Sequence, residues 1–348
     1  MNLIFCGFLL AASLSSNATS SSTTTLEQPA NQFYVYQSGL GEEKKEFDTN
    51  TFLTLNVCMF KGRLPSLFGG TTAPVAERAE RLARFLEKES PDIFVAQEVP
   101  LESGVLVFEA LKEQYPHFWM GIGLVPGEKE SDLFVASKYP ILSDPIFVPF
   151  PDDMQRVYKL PEDIQKLYPK RIIERGFICL ETEHFWMVTT HMEPGDREQA
   201  SAYRAKQLRY LTDKMDQIAE DSRKPYILTG DLNITRTAES DDEYSTTSGI
   251  PDLYYDFYTE KHPSFDETTY TCTNLLTFWV NGETVPTDPR GQNEIDDYVL
   301  IRKHHKNLFK NLDVQLLTNT YDLAKDPSEA LTDHRAYKAS FSFDPKLE

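Results

Sequence analysis

Gly230-Asp231-Leu232-Asn233 follows directly on the apolar run Tyr226-Ile227-Leu228-Thr229 and is the most informative short segment of the chain. Side chains in a strand alternate between faces with a period of two, so a strand leaving through Asp-x-Asn sets a carboxylate and an amide side by side at its exit. The same segment is also common turn material, because Asp and Asn readily hydrogen-bond to nearby backbone. Further polar residues stand at the ends of apolar runs. Asn56 lies in Leu53-Thr54-Leu55-Asn56-Val57, Gln97-Glu98 closes Ile93–Ala96, and His191 closes Val188-Thr189-Thr190. Asp297 lies in Ile295–Leu300, and Thr332-Asp333-His334 precedes Ala336–Phe343. Asn and Glu are poor strand residues. Singly, each placement is ordinary surface; together with Gly-Asp-x-Asn they are hard to explain as decoration. Carboxylates, amides and imidazoles of this kind hold cations and move protons, the chemistry that attacks a phosphate ester.

Such residues need strands to present them. Phe52–Cys58 reads as a strand, Val75, Ala79, Leu82, Ala83 and Leu86 recur at helical spacing, and Asp92–Gln97 reads as a strand again, giving a β-α-β opening. Further strands are expected at His117–Ile122, Asp132–Ser137, Gly176–Thr182, Phe185–His191, Tyr226–Asp231, Asp297–Arg302 and Ala336–Phe343. One later long helix is expected, over about Arg197–Ala219 with Leu208, Leu211, Met215 and Ile218 on one face. Many strands with few helices favour two packed mixed sheets covered by helices, a layered α/β domain. Asp144–Glu174 and Thr235–Asn293 read as long irregular stretches, which in compact domains are more often functional than idle.

The 348 residues carry 54 Asp+Glu against 35 Lys+Arg, a net charge of −19 that disfavours passive coating of a polyphosphate backbone. Hydrophobic residues at 40% supply a large core and exclude a mainly disordered chain. The apolar run Leu3–Ala12, followed by small residues to Ala18, reads as a signal peptide over 1–18, although its start has no Lys or Arg. This implies an exported protein, in a bacterial periplasm or extracellular. Residues 19–50 read as a flexible polar segment and 51–348 as one catalytic domain. Cleavage would leave Cys58, Cys179 and Cys272, too few for a disulfide framework.

In this order, Leu55-Asn56-Val57, Gln97-Glu98-Val99, Thr190-His191, Gly230–Asn233, Asp296–Leu300 and Thr332–His334 resemble the motifs of the endonuclease/exonuclease/phosphatase superfamily, over about residues 52–343. The resemblance implies a four-layered α/β sandwich of two packed mixed β-sheets flanked by helices. Within the superfamily, Phe52–Val57, the charged helix Glu77–Leu86, Ser90–Ile93, Ala136–Ile141 and Thr190-His191 are most similar to sphingomyelinase-like phosphodiesterases. Where inositol phosphatases carry a Trp-Cys-Asp-Arg-type element, this chain has Ile295–Val299.

The resemblance implies a metal- and His-activated water that hydrolyses a phosphodiester, most simply a phospholipid head group. Asn56 and Glu98 would hold Mg²⁺, or Mn²⁺ or another divalent cation, with Asp333 helping to hold metal or water. His334 would be the general base, oriented by Asp297; Asp231 would orient the nucleophile; Asn233 and His191 would hydrogen-bond the phosphoryl oxygens. A secreted nuclease with the same chemistry and a catalytically silent binding or effector protein on the same fold are the alternatives. His117, His184, His262, His304 and His305 fall outside the motifs, and Cys58 and Cys179 read as buried hydrophobes. Asn233-Ile234-Thr235 is a glycosylation sequon inside the expected site, where a glycan would block catalysis, so the sequon is expected to go unused. Leu275–Val280, before Asn281-Gly282, is either an exposed apolar hairpin in peripheral contact with a membrane or a plain core strand.

Overall fold

The computed structural model describes residues 34–37, 50–59, 74–120, 129–139, 141–143, 145–155, 172–195, 198–237, 242–263, 271, 277–280, 283–286, 294–317, 331–332 and 334–343. The strands are β1 (Tyr34–Gln37), β2 (Asn50–Asn56), β3 (Ile93–Gln97), β4 (His117–Met120), β5 (Lys129–Glu130), β6 (Phe134–Ser137), β7 (Ile146–Pro149), β8 (Ile172–Ile173) and β9 (Gly176–Glu181). They continue with β10 (Trp186–His191), β11 (Tyr226–Arg236), β12 (Tyr254–Asp256), β13 (Thr277–Val280), β14 (Glu283–Pro286), β15 (Ile295–Arg302), β16 (Phe309–Leu317) and β17 (Ala336–Phe343). The long helices are α1 (Val75–Glu89), α2 (Leu101–Leu111) and α3 (Glu198–Ser222).

Two mixed sheets pack face to face. The first has the order β1-β4-β6-β3-β2-β17-β16 and the second β12-β15-β11-β10-β9-β7. Within them β2–β3 and β10–β11 are parallel pairs, as a β-α-β unit requires. Alternation along β2 and β3 divides their side chains. Leu53, Leu55, Phe94 and Ala96 pack outward against Leu82 and Leu86 of α1 and Val107 and Leu111 of α2. Phe52 and Val95 point inward and share a core with Ile178, Met187, Ile227 and Val299 of the second sheet. Leu208, Leu211 and Met215 of α3 cover that sheet's other face. Each such buried Leu, Val or Phe stabilises by about 1.5–3 kcal/mol. This is the sandwich the patterning and the resemblance imply.

Several elements differ from expectation. α2 starts after Pro100 and contains Gly104, where a Cβ would meet Met120 Sδ at 3.0 Å, so the glycine lets the helix lie close on β4. β1 lies inside the 19–50 stretch read as flexible: Tyr34-Val35-Tyr36, strand-prone residues, pair with Phe118–Met120 at the sheet edge. The 235–293 stretch holds three short helices, Glu243–Thr246, Ile250–Leu253 and Phe257–Lys261, and the hairpin β13–β14. That hairpin takes in Thr277–Val280 of the apolar segment, while Leu275 and Leu276 lie outside the described residues. The signal-peptide reading of 1–18 also falls outside them. No helix among the described residues is long and apolar enough to cross a membrane.

Candidate active site

Strand register assembles the site. In the second sheet His191 of β10 pairs with Asp231 of β11, and Asp231 pairs with Asp297 of β15, so three candidate site residues stand in one row across three adjacent strands. In the first sheet Asn56 of β2 pairs with Gln97 of β3. Inward alternation turns Asn56 toward the second sheet, where its Nδ2 donates to Asp231 Oδ2 at 2.9 Å. Gln97 Nε2 bridges the same gap to Thr54 Oγ1 at 3.3 Å and Thr189 Oγ1 at 3.2 Å. Gln97 therefore ties the sheets together behind the site.

Asp231 Oδ2 is the centre of the constellation. Besides the Asn56 amide, His191 Nε2 lies 3.6 Å from it and His334 Nε2 4.0 Å from it. These separations exceed a hydrogen bond, and 4.0 Å leaves room for one oxygen about 2.8 Å from both groups. Each imidazole is held from behind through Nδ1: His191 by Asp132 Oδ2 at 2.8 Å and His334 by Asp297 Oδ2 at 2.8 Å. A carboxylate at Nδ1 takes that nitrogen's N–H as its hydrogen bond and turns Nε2 toward the site. Glu98 stands at the mouth, its Oε1 4.0 Å from His191 Nε2 and its side chain 22% exposed, whereas Asp231, Asp297 and His191 are buried. Its backbone has φ +61°, a left-handed conformation that costs a non-glycine residue about 1–3 kcal/mol. The neighbouring chain pins it, as Met59 N donates to the Glu98 carbonyl at 2.8 Å.

Burial pushes the Asp297 carboxyl up, opposed by the His334 imidazole beside it. Burial also pushes the neighbouring Asp296 well up, reinforced by Glu294 and Asp231. At Asp132 burial again acts upward, but the His191 imidazole and the Arg175 guanidinium, 3.2 Å away, win and bring the carboxyl down to about 2 from an ordinary 3.8. Because the folded value is depressed, the stability it contributes is full above the ordinary carboxylate range and is lost as pH falls toward 2. Asp132→Asn should cost on the order of 2 kcal/mol at pH 7 and almost nothing near pH 2, read from urea midpoints at the two pH values.

Asn233 is placed differently from a simple alternation. β11 shifts register between Asp231 and Arg236, and Asn233 takes φ +51°. Its backbone N–H donates to Asp231 Oδ1 at 2.9 Å, and its Nδ2 reaches the Met192 carbonyl at 3.4 Å. It thus fixes the Asp231 carboxylate and closes the rim beside His191. Asp333 lies outside the described residues. Three contributors fall in none of the sequence motifs: Asp132, Arg175 and Thr271, whose Oγ1 accepts the Asp296 and Asp297 N–H groups at 3.0 and 3.1 Å. A carboxylate just before an apolar strand, as in Ser131-Asp132-Leu133, is the one signal that pointed toward any of them.

The donor set suits a divalent cation. Asp297 Oδ1 is buried with no hydrogen-bond partner among the described residues, and one ligand atom each of Asp231, Asp297 and His334 lies within 4.8 Å of the others. Asn56 Oδ1 accepts from Cys58 N at 3.0 Å and keeps a second lone pair, and Glu98 directly follows Gln97, the residue that pairs with Asn56. Carboxylate and amide oxygens are hard donors of the kind divalent cations take.

A family model described as Endonuclease/Exonuclease/phosphatase family matches residues 53–309. No curated protein matches the sequence. Among solved structures, D. rerio TDP2 complexed with single strand DNA product is similar with a TM-score of 0.56 at 19% identity, over 85% of this chain and 100% of its own. The beta toxin of Staphylococcus aureus gives 0.57 at 17% identity, over 83% and 99%. An endonuclease/exonuclease/phosphatase from Beutenbergia cavernae gives 0.52 at 18%, over 85% and 72%. At these identities the likeness is one of fold: two packed mixed sheets with flanking helices.

Proposed function

The chain belongs to the Endonuclease/Exonuclease/phosphatase family, and from that premise we propose that it is an exported, Mg²⁺-dependent phosphodiesterase acting on a phospholipid head group. The carrying observation is the His191–Asp231–Asp297 row facing Asn56, with two carboxylate-backed imidazoles aimed at one carboxylate oxygen.

A phosphodiester is anionic and resists an anionic nucleophile, so hydrolysis needs neutralised charge, an oriented water and help for the leaving oxygen. A divalent cation held by Glu98 and Asn56, with Asp333 close by in sequence to His334, would supply the neutralisation. The chain's own residues do the rest. His334, its Nδ1 proton committed to Asp297, takes the proton of the attacking water at Nε2. Asp231 accepts that water's second hydrogen and fixes its direction. His191 and Asn233 hydrogen-bond the phosphoryl oxygens, Asp132 keeps the His191 ring in place, and as the P–O bond to the leaving group breaks the departing alkoxide takes its proton from solvent.

The lipid reading rests on the sphingomyelinase-like segments of the sequence, on the −19 charge, which disfavours a long polyanion more than a zwitterionic head group, and on the apolar Thr277–Val280 strand of the β13–β14 hairpin as a peripheral membrane contact. Phosphocholine release from sphingomyelin vesicles with Mg²⁺, abolished by EDTA and restored by added Mg²⁺, is the expected result. Intact lipid alongside cleavage of a soluble phosphodiester would overturn the head-group assignment, and plasmid nicking under the same conditions would mark a nuclease. Glu98→Gln should weaken Mn²⁺ binding roughly 10- to 100-fold by paramagnetic titration. Unchanged binding would move the cation to the Asp231, Asp297 and His334 donors.

A further inference from the structure

Arg78 lies on the buried face of α1 with Val75, Ala79 and Leu82, and its side chain is 0% exposed. Among the described residues it has no carboxylate partner. All its contacts are backbone carbonyls. Nε donates to Leu331 O at 2.9 Å, Nη1 to Cys58 O at 2.8 Å, and Nη2 to Val57 O at 2.5 Å and Leu331 O at 2.7 Å. Burying a cation away from any anion is costly unless its donors are met in full. An apolar residue would fill this helix face without that cost, so what the arginine adds is the bridge itself.

The bridged segments are the two loops that flank the site from opposite ends of the sequence. Val57 and Cys58 follow Asn56, and their N–H groups hold neighbouring partners: Val57 N donates to Gln97 O at 3.1 Å and Cys58 N to Asn56 Oδ1 at 3.0 Å. Leu331 precedes Thr332, whose Oγ1 donates to Asn56 O at 2.7 Å, and then His334. The Asn56–Glu98 side and the His334 side therefore meet at one guanidinium. Only arginine offers a planar fork of five N–H donors able to span three carbonyls on two segments at once.

We propose that Arg78 is a positioning residue that sets the distance between the cation-holding side of the site and the His334 side. Its effect on turnover rests on the phosphodiesterase reading, but its effect on loop order does not. The test compares the full-length chain with Arg78→Lys, Arg78→Met and Arg78→Ala. With Mg²⁺ and bis(p-nitrophenyl) phosphate, Arg78→Met should lose about 100-fold in kcat, the scale of an ångström-sized misplacement, with KM changed less than roughly threefold. Arg78→Lys should recover only part of the loss, because a point charge cannot span the carbonyls. Millimolar guanidinium should restore part of the Arg78→Ala rate and leave the wild type unaffected. By hydrogen exchange, residues 57–59 and 331–335 should lose protection in Arg78→Met while β10 and β11 keep theirs.

A folded Arg78→Met with kcat within roughly threefold of wild type overturns the proposal, as does a rate loss that only follows the unfolded fraction. If the wild type cleaves no phosphodiester, the functional reading fails by itself. Exchange then decides the role of Arg78, and unchanged protection at 57–59 and 331–335 overturns it.

Discussion

Replacing His334 by alanine should lower kcat on a phosphodiester by between about 10²- and 10⁴-fold, the range that a general base contributes. The expectation follows from geometry. His334 Nε2 is 4.0 Å from Asp231 Oδ2, the width of one shared oxygen, and Nδ1 is fixed by Asp297. Alanine removes the proton acceptor and leaves the rest of the row standing. Asp297→Asn keeps the shape but weakens the hold on the ring, and should cost less, roughly 10- to 100-fold. There is a second signature in stability. Burial already pushes the Asp297 carboxyl up, and His334 is the group that opposes it. Without the imidazole a raised carboxyl is more stable protonated, so His334→Ala should lose stability relative to wild type as pH rises above the ordinary carboxylate range. Steady-state kinetics and urea midpoints across pH read both. A kcat within a few-fold of wild type would remove His334 from the role of base.

Gly230→Ala should destabilise by at least about 3 kcal/mol, a large share of the roughly 5–15 kcal/mol that holds a domain folded. Gly230 has φ +126°, and a Cβ there would sit 2.2 Å from the Thr190 carbonyl oxygen and 3.1 Å from Thr190 N. Both are backbone atoms of the paired parallel strand, so no rotamer change relieves the clash. The strained φ adds about 1–3 kcal/mol of its own. This close approach is what lets β10 and β11 run in the register that sets His191 beside Asp231. Circular dichroism and thermal melting test the expectation, and a folded Gly230→Ala with wild-type melting temperature would contradict it.

The site was largely legible because its residues violate local rules. A mid-strand Asn, a Glu ending an apolar run and a Gly before Asp are poor choices for strands, and Asn56, Glu98 and Gly230 each answer to the site instead. Asp132 was less visible. It precedes β6 in an ordinary polar-to-apolar transition, and only the antiparallel pairing of β6 with β3 carries it to His191. Arg175 and Thr271 act from neighbouring segments, and nothing in their local sequence marks them. Arg78 sits among the charged residues of an amphipathic helix, where a solvent-facing arginine is the ordinary case. Among the elements, β16 escaped notice because Asn311, at φ +52°, breaks its alternation with a register shift between Lys310 and Asp313. The Asp-x-Asn alternation failed at the same kind of irregularity, in β11.

β17 is the last of the described strands in sequence but not the last of its sheet: it lies between β2 and β16, pairing with both. Until it inserts, β2 has an open edge, His334 is missing from the cluster, and Arg78 has no Leu331 carbonyl to bind. The pairings of β17 with β2 join residues almost 300 positions apart, contacts that close late and slowly in folding. On the phosphodiesterase reading, a chain whose β17 has not yet paired should therefore be inactive, because His334 does not yet stand beside Asp231.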